Sequence, residues 1–340
     1  MTPERFQAVT SRYPSLRIAV VGDFCLDRYL EIDPARAETS IETGLPVHNV
    51  VRVRAQPGGA GTIVNNLVAL GLGEILAVGF SGDDGEGYEL RRELAARPRV
   101  TLDHFLTTTD RATFTYTKPL VTTPGQVPVE LNRLDVKNWT PTPLTIEAKL
   151  IASLREIAPK LDALIVLDQV DEAGTGAVTK GLLGALGELA AANPELPVIA
   201  DSRQSLRGWP PVSFKMNAAE LASLLNRHGE LSLDDVAATA AEFASRNGRP
   251  VFVTLSERGM IAAAPDGTVD HVAALPVRGP IDIVGAGDSV TANLAAALAA
   301  GASLREAAEL AAIASSLVIH QLGTTGTAAV PELAEFIVKN

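Results

Sequence analysis

A glycine-rich turn that ends in an acidic residue is the segment of this sequence best suited to chemistry. Residues 285–287 are Gly-Ala-Gly and precede Asp288, and the apolar stripe that starts at Val290 predicts a helix immediately afterwards. Small residues let the backbone turn tightly and point several N–H groups at one place, where the helix N-terminus adds its positive dipole end. Such a turn attracts phosphate and stabilises charge that develops on a transferring phosphoryl group.

Asp288 needs an explanation of its own, because its negative charge would repel a phosphate bound at the same turn. A carboxylate within reach of an attacking hydroxyl can act as a general base. The alternative is an ordinary helix-capping carboxylate on a glycine-rich turn. The motifs elsewhere in the chain favour the base.

Strand-length apolar runs recur along the chain, and helical patterns lie between them. The runs contain no charged residue inside them, as in strands that are buried on both faces of a sheet. Strands that alternate with helices predict an α/β fold, a three-layer αβα sandwich around a mostly parallel sheet. Capping boxes at Ser303/Glu306 and Ser232/Asp235 predict two helix starts. The runs are residues 17–21, 75–78, 163–167, 197–200 and 251–255.

Two other stretches, about residues 41–54 and 107–135, alternate polar and apolar residues, most clearly over residues 113–117. This pattern predicts antiparallel strands with one face in water. We expect these strands to form a small β lid that projects from a domain spanning residues 1–340. Its apolar face would otherwise be exposed, which favours a homodimer.

Composition and charge exclude several classes of partner. The chain has 340 residues and a net charge of −11, and its lysines and arginines form no block, so we expect no nucleic-acid partner. The single cysteine, Cys25, excludes a disulfide framework or a zinc cluster of cysteines within the chain. His104, His228, His271 and His320 lack the spacing of metal ligands. We find no signal-peptide pattern and no apolar run of ~18 residues, so we expect a cytoplasmic protein without a membrane span.

Four motifs occur in an order that is typical of one enzyme family. They are Gly22-Asp23 with Asp27, Gly58-Gly59-Ala60-Gly61-Thr62 with Asn65-Asn66, Asn217-Ala218-Ala219-Glu220, and Gly285-Ala286-Gly287-Asp288 preceded by Asp282. On these motifs, which span residues ~17 to ~332, the chain resembles the PfkB or ribokinase-like carbohydrate kinases. Residues 20–29, 131–135 and 321–325 most resemble the subgroup that phosphorylates D-glycero-β-D-manno-heptose 7-phosphate.

The resemblance implies a ribokinase-like fold, ATP and Mg²⁺ as cofactors, and a sugar or sugar phosphate as the small-molecule substrate. It also implies roles for individual residues. Asp288 matches the catalytic base, and Gly285, Ala286 and Gly287 match the anion hole. Glu220 matches a Mg²⁺ site reached through water, and Asp282 matches a site for a monovalent cation such as K⁺. The implied substrate-binding residues are Asp27, Gly58, Gly59, Thr62, Asn66, Arg133 and Asp135, and the cofactor-binding residues are Asn217, Glu220, Thr254, Ser256, Gly259 and Gly323.

Each supporting motif also has a structural alternative. Asn217 and Glu220 fit a well-capped helix start, Asp27 fits a solvated strand end, and the segment from Thr254 to Gly259 fits a turn. The chain departs from the family pattern at Thr62, Ile283 and Ala312, where Asn, Thr and Asn are usual. It also has Asp201-Ser202-Arg203 in place of the Asp-Pro-Lys of the heptose kinases. These departures weaken the substrate assignment and the case for potassium activation.

Three alternative functions remain open at this point. The first is a nucleotide- or sugar-binding protein that keeps the fold without catalysis. The second is a kinase whose acceptor is a nucleoside, a fructose derivative or a hexose phosphate. The third, a dinucleotide-dependent oxidoreductase, is disfavoured because Gly22-Asp23 does not open a Gly-x-Gly-x-x-Gly turn. Arg133, Arg203 or Lys118 would bind a phosphate on a sugar-phosphate acceptor, and the alternative for all three is surface charge.

Overall fold

The computed structural model describes residues 1–227 and 231–339, so His228 lies outside the described residues. The strands supply a central sheet, a smaller sheet and one short hairpin. In chain order they are β1 (Arg17–Gly22), β2 (Phe24–Ile32), β3 (Glu38–Thr39), β4 (Pro46–Val47), β5 (Val50–Gly59), β6 (Glu74–Gly82), β7 (Val100–Thr101), β8 (Phe105–Thr108), β9 (Thr115–Val121), β10 (Val129–Glu130), β11 (Leu134–Val136), β12 (Ala163–Asp168), β13 (Val198–Ser202), β14 (Ser213–Asn217), β15 (Val251–Thr254), β16 (Met260–Ala263) and β17 (Val269–Val272).

The central sheet has the strand order β17-β16-β15-β14-β13-β12-β1-β6-β7, with β8 paired to β6. The strands from β15 to β7 are parallel to their neighbours, and β16 and β17 close one edge as antiparallel strands. The five apolar runs of the sequence lie in β1, β6, β12, β13 and β15, which confirms the predicted sheet. Strand β14 was not predicted, because Lys215 interrupts its apolar residues.

Helices cover both faces of the central sheet, which confirms the three-layer arrangement. Along β1, Ile18 and Val20 enter one hydrophobic core, and the alternate residues Ala19 and Val21 enter the other. The first core is covered by α1 (Pro3–Thr10), α2 (Ala60–Ala69), α3 (Gly85–Ala95), and the last three helices; the second is covered by α4 (Leu144–Ile157), α5 (Lys180–Ala192), α6 (Ala218–Leu224) and α7 (Leu233–Asn247). The last three helices are α8 (Ala286–Ala299), α9 (Leu304–Val318) and α10 (Val330–Lys339).

Both predicted capping boxes are present. Ser232 caps α7 together with Asp235, and Ser303 caps α9 together with Glu306. In each pair the side chain of the first residue accepts the backbone N–H of the second, whose carboxylate accepts the N–H of the first. Within the described residues, no helix is long and apolar enough to cross a membrane.

The small sheet has the order β10-β9-β2-β5, with β11 paired to β9. All its pairs are antiparallel except β2–β9, which is parallel. The stretches 41–54 and 107–135 contribute β5 and β9–β11. They also contain residues outside this sheet, since β4 pairs only with β3 and β8 joins the central sheet. Strand β2 follows β1 after a single residue, so its apolar residues look like a continuation of the first strand in the sequence.

Candidate active site

Polar side chains gather at one edge of the central sheet, where the parallel strands have their carboxyl ends. Asp168, Asp201 and Asn217 stand at or near the ends of β12, β13 and β14. The pairing of Asn217 with Thr254 brings the end of β15 to the same place. Ligands of open α/β sheets bind at this edge, in the crevice beyond the strand ends. The fold therefore brings together residues that are far apart in the sequence.

The glycine-rich turn begins α8 at this edge. Gly285 is the N-cap residue and adopts the left-handed conformation with φ 82° and ψ −2°. A Cβ atom at Gly285 would lie 3.2 Å from Cβ of Thr325 and 3.4 Å from Cγ2 of Thr62. Glycine is therefore required both by the backbone angles and by the close approach of α2 and the segment before α10. In the first turn of α8 the N–H of Ala286 donates to the carbonyl oxygen of Ile283 at 3.2 Å. The next N–H groups, those of Gly287 and Asp288, are the ones that this helix start leaves for an anion.

Asp288 lies half-buried in the first turn of α8. Burial first, and then the nearby charge of Asp201, raise the pKa of its carboxyl group to about 7. The charge of Asp27 also raises this pKa. The positive charges of Lys215 and, to a smaller extent, Arg203 lower it. A general base works best when its pKa is close to the working pH. The environment of Asp288 therefore suits proton acceptance near neutrality.

Lys215 and Asp201 form an ion pair beside Asp288. None of the sequence motifs indicates this pair as part of the site. Nζ of Lys215 lies 2.7 Å from Oδ2 of Asp201, and the two residues are 7% and 8% exposed. The signal available in the sequence was one lysine inside a short apolar segment, residues 213–217. Long charged residues are almost never buried without a partner, so this lysine indicated a paired site.

Asp27 on β2 and the pair Gly58-Gly59 on β5 lie on neighbouring strands of the small sheet. In β2, Asp27 is buried, and its Oδ1 lies 3.7 Å from Nζ of Lys118 on β9. A Cβ atom at Gly58 would lie 2.6 Å from Oδ2 of Asp27, so only glycine leaves room for this carboxylate. Burial raises the pKa of Asp27, and the positive charges of Lys118 and Arg133 oppose the rise.

Arg133 and Asp135 lie at the mouth of the same region. Arg133 pairs with Asp135 at 2.7 Å, and its guanidinium carbon lies 5.0 Å from the centre of the Tyr116 ring. Lys137 binds Asp171, whose pKa is lowered by Lys137 and by the charges of Arg203 and Arg133. The mouth therefore carries three cations that pair with two carboxylates, Asp135 and Asp171. We call Arg133, Lys137 and Arg203 the mouth cations.

Thr62 and Asn66 are both buried in α2. Thr62 contacts the turn at Gly285, as described above. The side-chain amide of Asn66 donates to the carbonyl oxygen of Thr62, and its Oδ1 has no partner within the described residues. The structure thus places Thr62 at the turn and Asn66 one helical turn deeper.

Asn217 and Glu220 form a complete capping box at the start of α6. Oδ1 of Asn217 accepts the N–H of Glu220 at 2.9 Å, and Oε2 of Glu220 accepts the N–H of Asn217 at 2.7 Å. Burial raises the pKa of Glu220, and Asp201 contributes to this rise. The capping role that the sequence left open is therefore present, and Oε1 of Glu220 is not used in the box.

Thr254 ends β15 opposite Asn217, and Ser256 and Gly259 follow in the turn that leads to β16. Gly259 has a φ of 92°, and a Cβ atom there would lie 2.0 Å from the carbonyl oxygen of Val272. The turn therefore packs directly against the end of β17. An apolar cavity of about 180 Å³ adjoins this end of β17, and its lining includes Val272, Ala273, Leu275, Ala312 and Ile313.

Asp282 links the glycine-rich turn to the segment after α9. Its Oδ1 accepts the N–H of Val284 at 3.0 Å, and its Oδ2 accepts the N–H of Gly323 at 3.2 Å. Ile283 is 72% exposed and offers no side-chain oxygen where the family usually has Thr. Both Asp282 oxygens are thus engaged by backbone N–H groups. Among the described residues, no group of three or more His, Cys, Asp or Glu side chains is arranged to hold a metal ion.

Comparison with known proteins identifies the family. Residues 16–331 match the pfkB family carbohydrate kinase description. The chain belongs to the pfkB family of carbohydrate kinases. This confirms the resemblance drawn from the four motifs. Among its relatives, the bifunctional protein HldE of Azorhizobium caulinodans is 33% identical over 312 residues, covering 90% of this chain and 61% of that protein. HldE of Hyphomonas neptunium is 32% identical over 333 residues, covering 96% and 64%. The chain thus spans about three-fifths of the length of these relatives.

Two solved kinase structures share the fold. Arabidopsis thaliana ribokinase complexed with ribose and ATP superposes with a TM-score of 0.66 and 20% identity, covering 95% of this chain and 98% of that one. Phosphofructokinase-2 from Escherichia coli in complex with potassium gives a TM-score of 0.70 and 20% identity, covering 95% and 99%. These likenesses confirm the predicted ribokinase-like fold.

Proposed function

We propose that this protein transfers the γ-phosphoryl group of ATP to a hydroxyl of a sugar phosphate, with a heptose 7-phosphate as the first candidate. One observation carries the proposal: a carboxyl group with a pKa of about 7, Asp288, lies on a glycine-rich helix N-terminus at the carboxyl edge of the sheet. A base and an anion-binding turn in one place are the two protein groups that phosphoryl transfer most needs.

In this proposal Asp288 accepts the proton of the attacking hydroxyl as that hydroxyl attacks the γ-phosphorus. The turn at residues 285–287, chiefly through the N–H of Gly287, stabilises the charge on the moving phosphoryl group. Asp27 orients the sugar, because a carboxylate can accept hydrogen bonds from two neighbouring hydroxyls. The small sheet acts as a lid that excludes water, which would otherwise take the phosphoryl group.

ATP would lie beyond β14 and β15, with Asn217, Thr254, Ser256 and Gly259 beside its phosphates. We propose the apolar cavity that includes Ala312 as the site of its base, because Gly259 packs against one wall of that cavity. Mg²⁺ would fit beside Glu220 through water, since one oxygen of this partly buried carboxylate is not used in the capping box. When bound, the ion neutralises charge on the β- and γ-phosphates.

A monovalent cation at Asp282 would have to share carboxylate oxygens that already accept backbone N–H groups. We also propose a homodimer, since the small sheet exposes Val51, Val53, Val129, Leu134 and Val136.

ATP is a cytoplasmic metabolite, and we therefore propose the cytoplasm as the compartment of the reaction.

The mouth cations support an acceptor that carries its own phosphate. Guanidinium groups bind phosphate oxygens through two parallel hydrogen bonds, and the guanidinium of Arg133 lies over the ring of Tyr116 at the mouth. We expect Arg133→Met to raise the KM for a phosphorylated acceptor by about tenfold. The KM for the unphosphorylated sugar should change little. Arg155→Met, which removes a guanidinium paired with Glu188 on the surface, is the matched control. Equal changes for both acceptors would contradict a phosphate-binding role for Arg133.

The pH dependence of the reaction should follow the ionisation of Asp288. Its pKa is raised to about 7, so the carboxyl group is protonated, and unable to accept a proton, below that pH. We expect kcat/KM for the acceptor to fall about tenfold for each pH unit below the pKa and to level off above it. A profile that is flat between pH 5 and 8 would contradict proton acceptance by Asp288.

The proposed activity is tested by ADP formation with Mg·ATP and a panel of acceptors: heptose 7-phosphate, fructose 6-phosphate, free hexoses and nucleosides. We expect acceptor-dependent ADP formation with a sugar phosphate. Binding of ATP with no turnover on any acceptor would instead support a non-catalytic binding protein on the same fold. Turnover of a nucleoside alone would move the acceptor to another class.

A further inference from the structure

A buried charge pair lies under the anion-hole turn, on two neighbouring strands of the central sheet. Asp201 stands on β13 and Lys215 on β14, and their ion pair measures 2.7 Å. Thr291 of α8 donates its hydroxyl either to Oδ2 of Asp201 at 3.2 Å or to the carbonyl oxygen of Gly287 at 3.1 Å. The pair is therefore linked to the first turn of the helix that carries Asp288.

The ammonium group of this pair lies directly against the turn. A Cβ atom at Gly287 would be 3.0 Å from Nζ of Lys215. Removing two charges from water costs several kcal/mol per ion, and an apolar pair of similar volume often serves stability equally well. A role in stability alone therefore accounts poorly for this pair, whereas a position beside a site of charge transfer accounts for it well.

We propose that Asp201 and Lys215 are positioning residues for phosphoryl transfer: their ion pair holds an ammonium against the Gly287 turn and governs the charge of Asp288. This inference rests on the proposed function. It assigns neither residue a contact with the reacting atoms. Charged and titratable groups face Asp288 from β13, β14 and β2, and they are Asp201, Arg203, Lys215, Asp27 and Cys25.

The two members of the pair act on Asp288 in opposite directions. Asp201 raises the pKa of Asp288, and Lys215 lowers it. An opposite charge within about 4–6 Å shifts a carboxyl pKa by about one unit or more. Loss of the ammonium should therefore move the ionisation of Asp288 to higher pH, and loss of the carboxylate should move it to lower pH. A pair too far from Asp288 to act on its charge would produce no such opposition.

The test compares the pH profiles of kcat/KM for wild type, Lys215→Met and Asp201→Asn. We expect the apparent pKa to rise by about one unit in the first variant and to fall by about one unit in the second. The double variant, which leaves no unpaired buried charge, should return the apparent pKa towards that of wild type. Lys215→Arg retains the positive charge and should keep most of the wild-type profile. Shifts in the same direction, or no shift in either single variant, would overturn the proposal.

A second readout does not depend on turnover or on the acceptor. The carboxyl ¹³C resonance of Asp288, assigned from its loss in Asp288→Asn, can be titrated in the same variants. We expect the same opposite shifts in this titration. If wild type turns over no acceptor but the opposite shifts appear, the proposed activity fails and the charge coupling stands. If wild type is active and the titration of Asp288 is the same in every variant, the coupling fails alone.

Should a single variant fail to fold, Lys215→Arg and the remaining single variant still decide the matter. An apparent pKa shifted by about one unit in Lys215→Arg, which keeps the positive charge, or unshifted in the remaining single variant, contradicts the proposal.

Discussion

Asp288→Asn is expected to lower kcat by about 10²–10⁴-fold, which is the usual contribution of a general base. Asparagine has nearly the same shape as aspartate but cannot accept the proton of the attacking hydroxyl. The turn at residues 285–287 keeps its backbone, so the Kd for ATP should stay within about threefold of the wild-type value or fall, because a negative charge near the phosphates is lost. Steady-state kinetics and calorimetric titration with ATP measure the two effects separately.

Asp270→Asn is a suitable control for this variant. Asp270 lies on β17 and pairs with the exposed Arg305 at 3.4 Å, so its replacement removes a carboxylate that the proposal does not use. Its kcat should equal that of wild type. A kcat of Asp288→Asn within about threefold of wild type, with a normally folded protein, would remove Asp288 from the mechanism.

Gly59→Ala is expected to destabilise the protein by about 3 kcal/mol and to weaken acceptor binding at the same time. Gly59 has φ 57° and ψ −122°, a conformation that residues with a side chain rarely adopt. A Cβ atom there would lie 2.5 Å from the carbonyl oxygen of Asp23, which is backbone and cannot move alone. Relief of this contact must displace the start of α2 and the end of β5, which lies beside Asp27. Urea unfolding and the KM for the acceptor report the two consequences.

Gly71→Ala separates the backbone strain from the steric contact. Gly71 follows the same helix and has a φ of 77°, but nothing lies within 4 Å of a Cβ atom built there. The change should cost only about 1–2 kcal/mol and leave the KM for the acceptor unaltered. Equal losses of stability in the two variants would mean that the contact with Asp23 has no energetic effect of its own.

The sequence predicted the sheet because buried parallel strands are apolar on both faces, as the alternation of Ile18 and Ala19 between two cores shows. The same rule missed β14, whose Lys215 is buried only because Asp201 comes from a neighbouring strand. Strand β2 was also missed, since a change from one sheet to another at Asp23 leaves no mark on hydrophobicity. The burial of Lys215 in β14 and the change of sheet at β2 both depend on pairing between segments that are far apart in the chain. Local sequence patterns do not record such pairing.

In the candidate site, too, sequence motifs indicated some residues and missed those that only tertiary packing brings together. Family motifs predicted Asp288 and its turn as base and anion hole, and these assignments stay predictions that the kinetic experiments test. The sequence left open whether Asn217 and Glu220 form a helix cap, and the structure shows that they do. The pKa of Asp288 depends on burial first and then on Asp201 and Lys215, all of which come from tertiary packing. The sequence therefore identified the acidic residue but not the groups that set its ionisation.

The most direct test of the account is ³¹P NMR of heptose 7-phosphate incubated with Mg·ATP and this protein. We expect one equivalent of a new phosphate ester on the sugar for each ADP formed, and an initial rate of its formation about 10²–10⁴-fold lower with Asp288→Asn. ADP accompanied only by inorganic phosphate, or equal initial rates of ester formation by the two proteins, would contradict this mechanism.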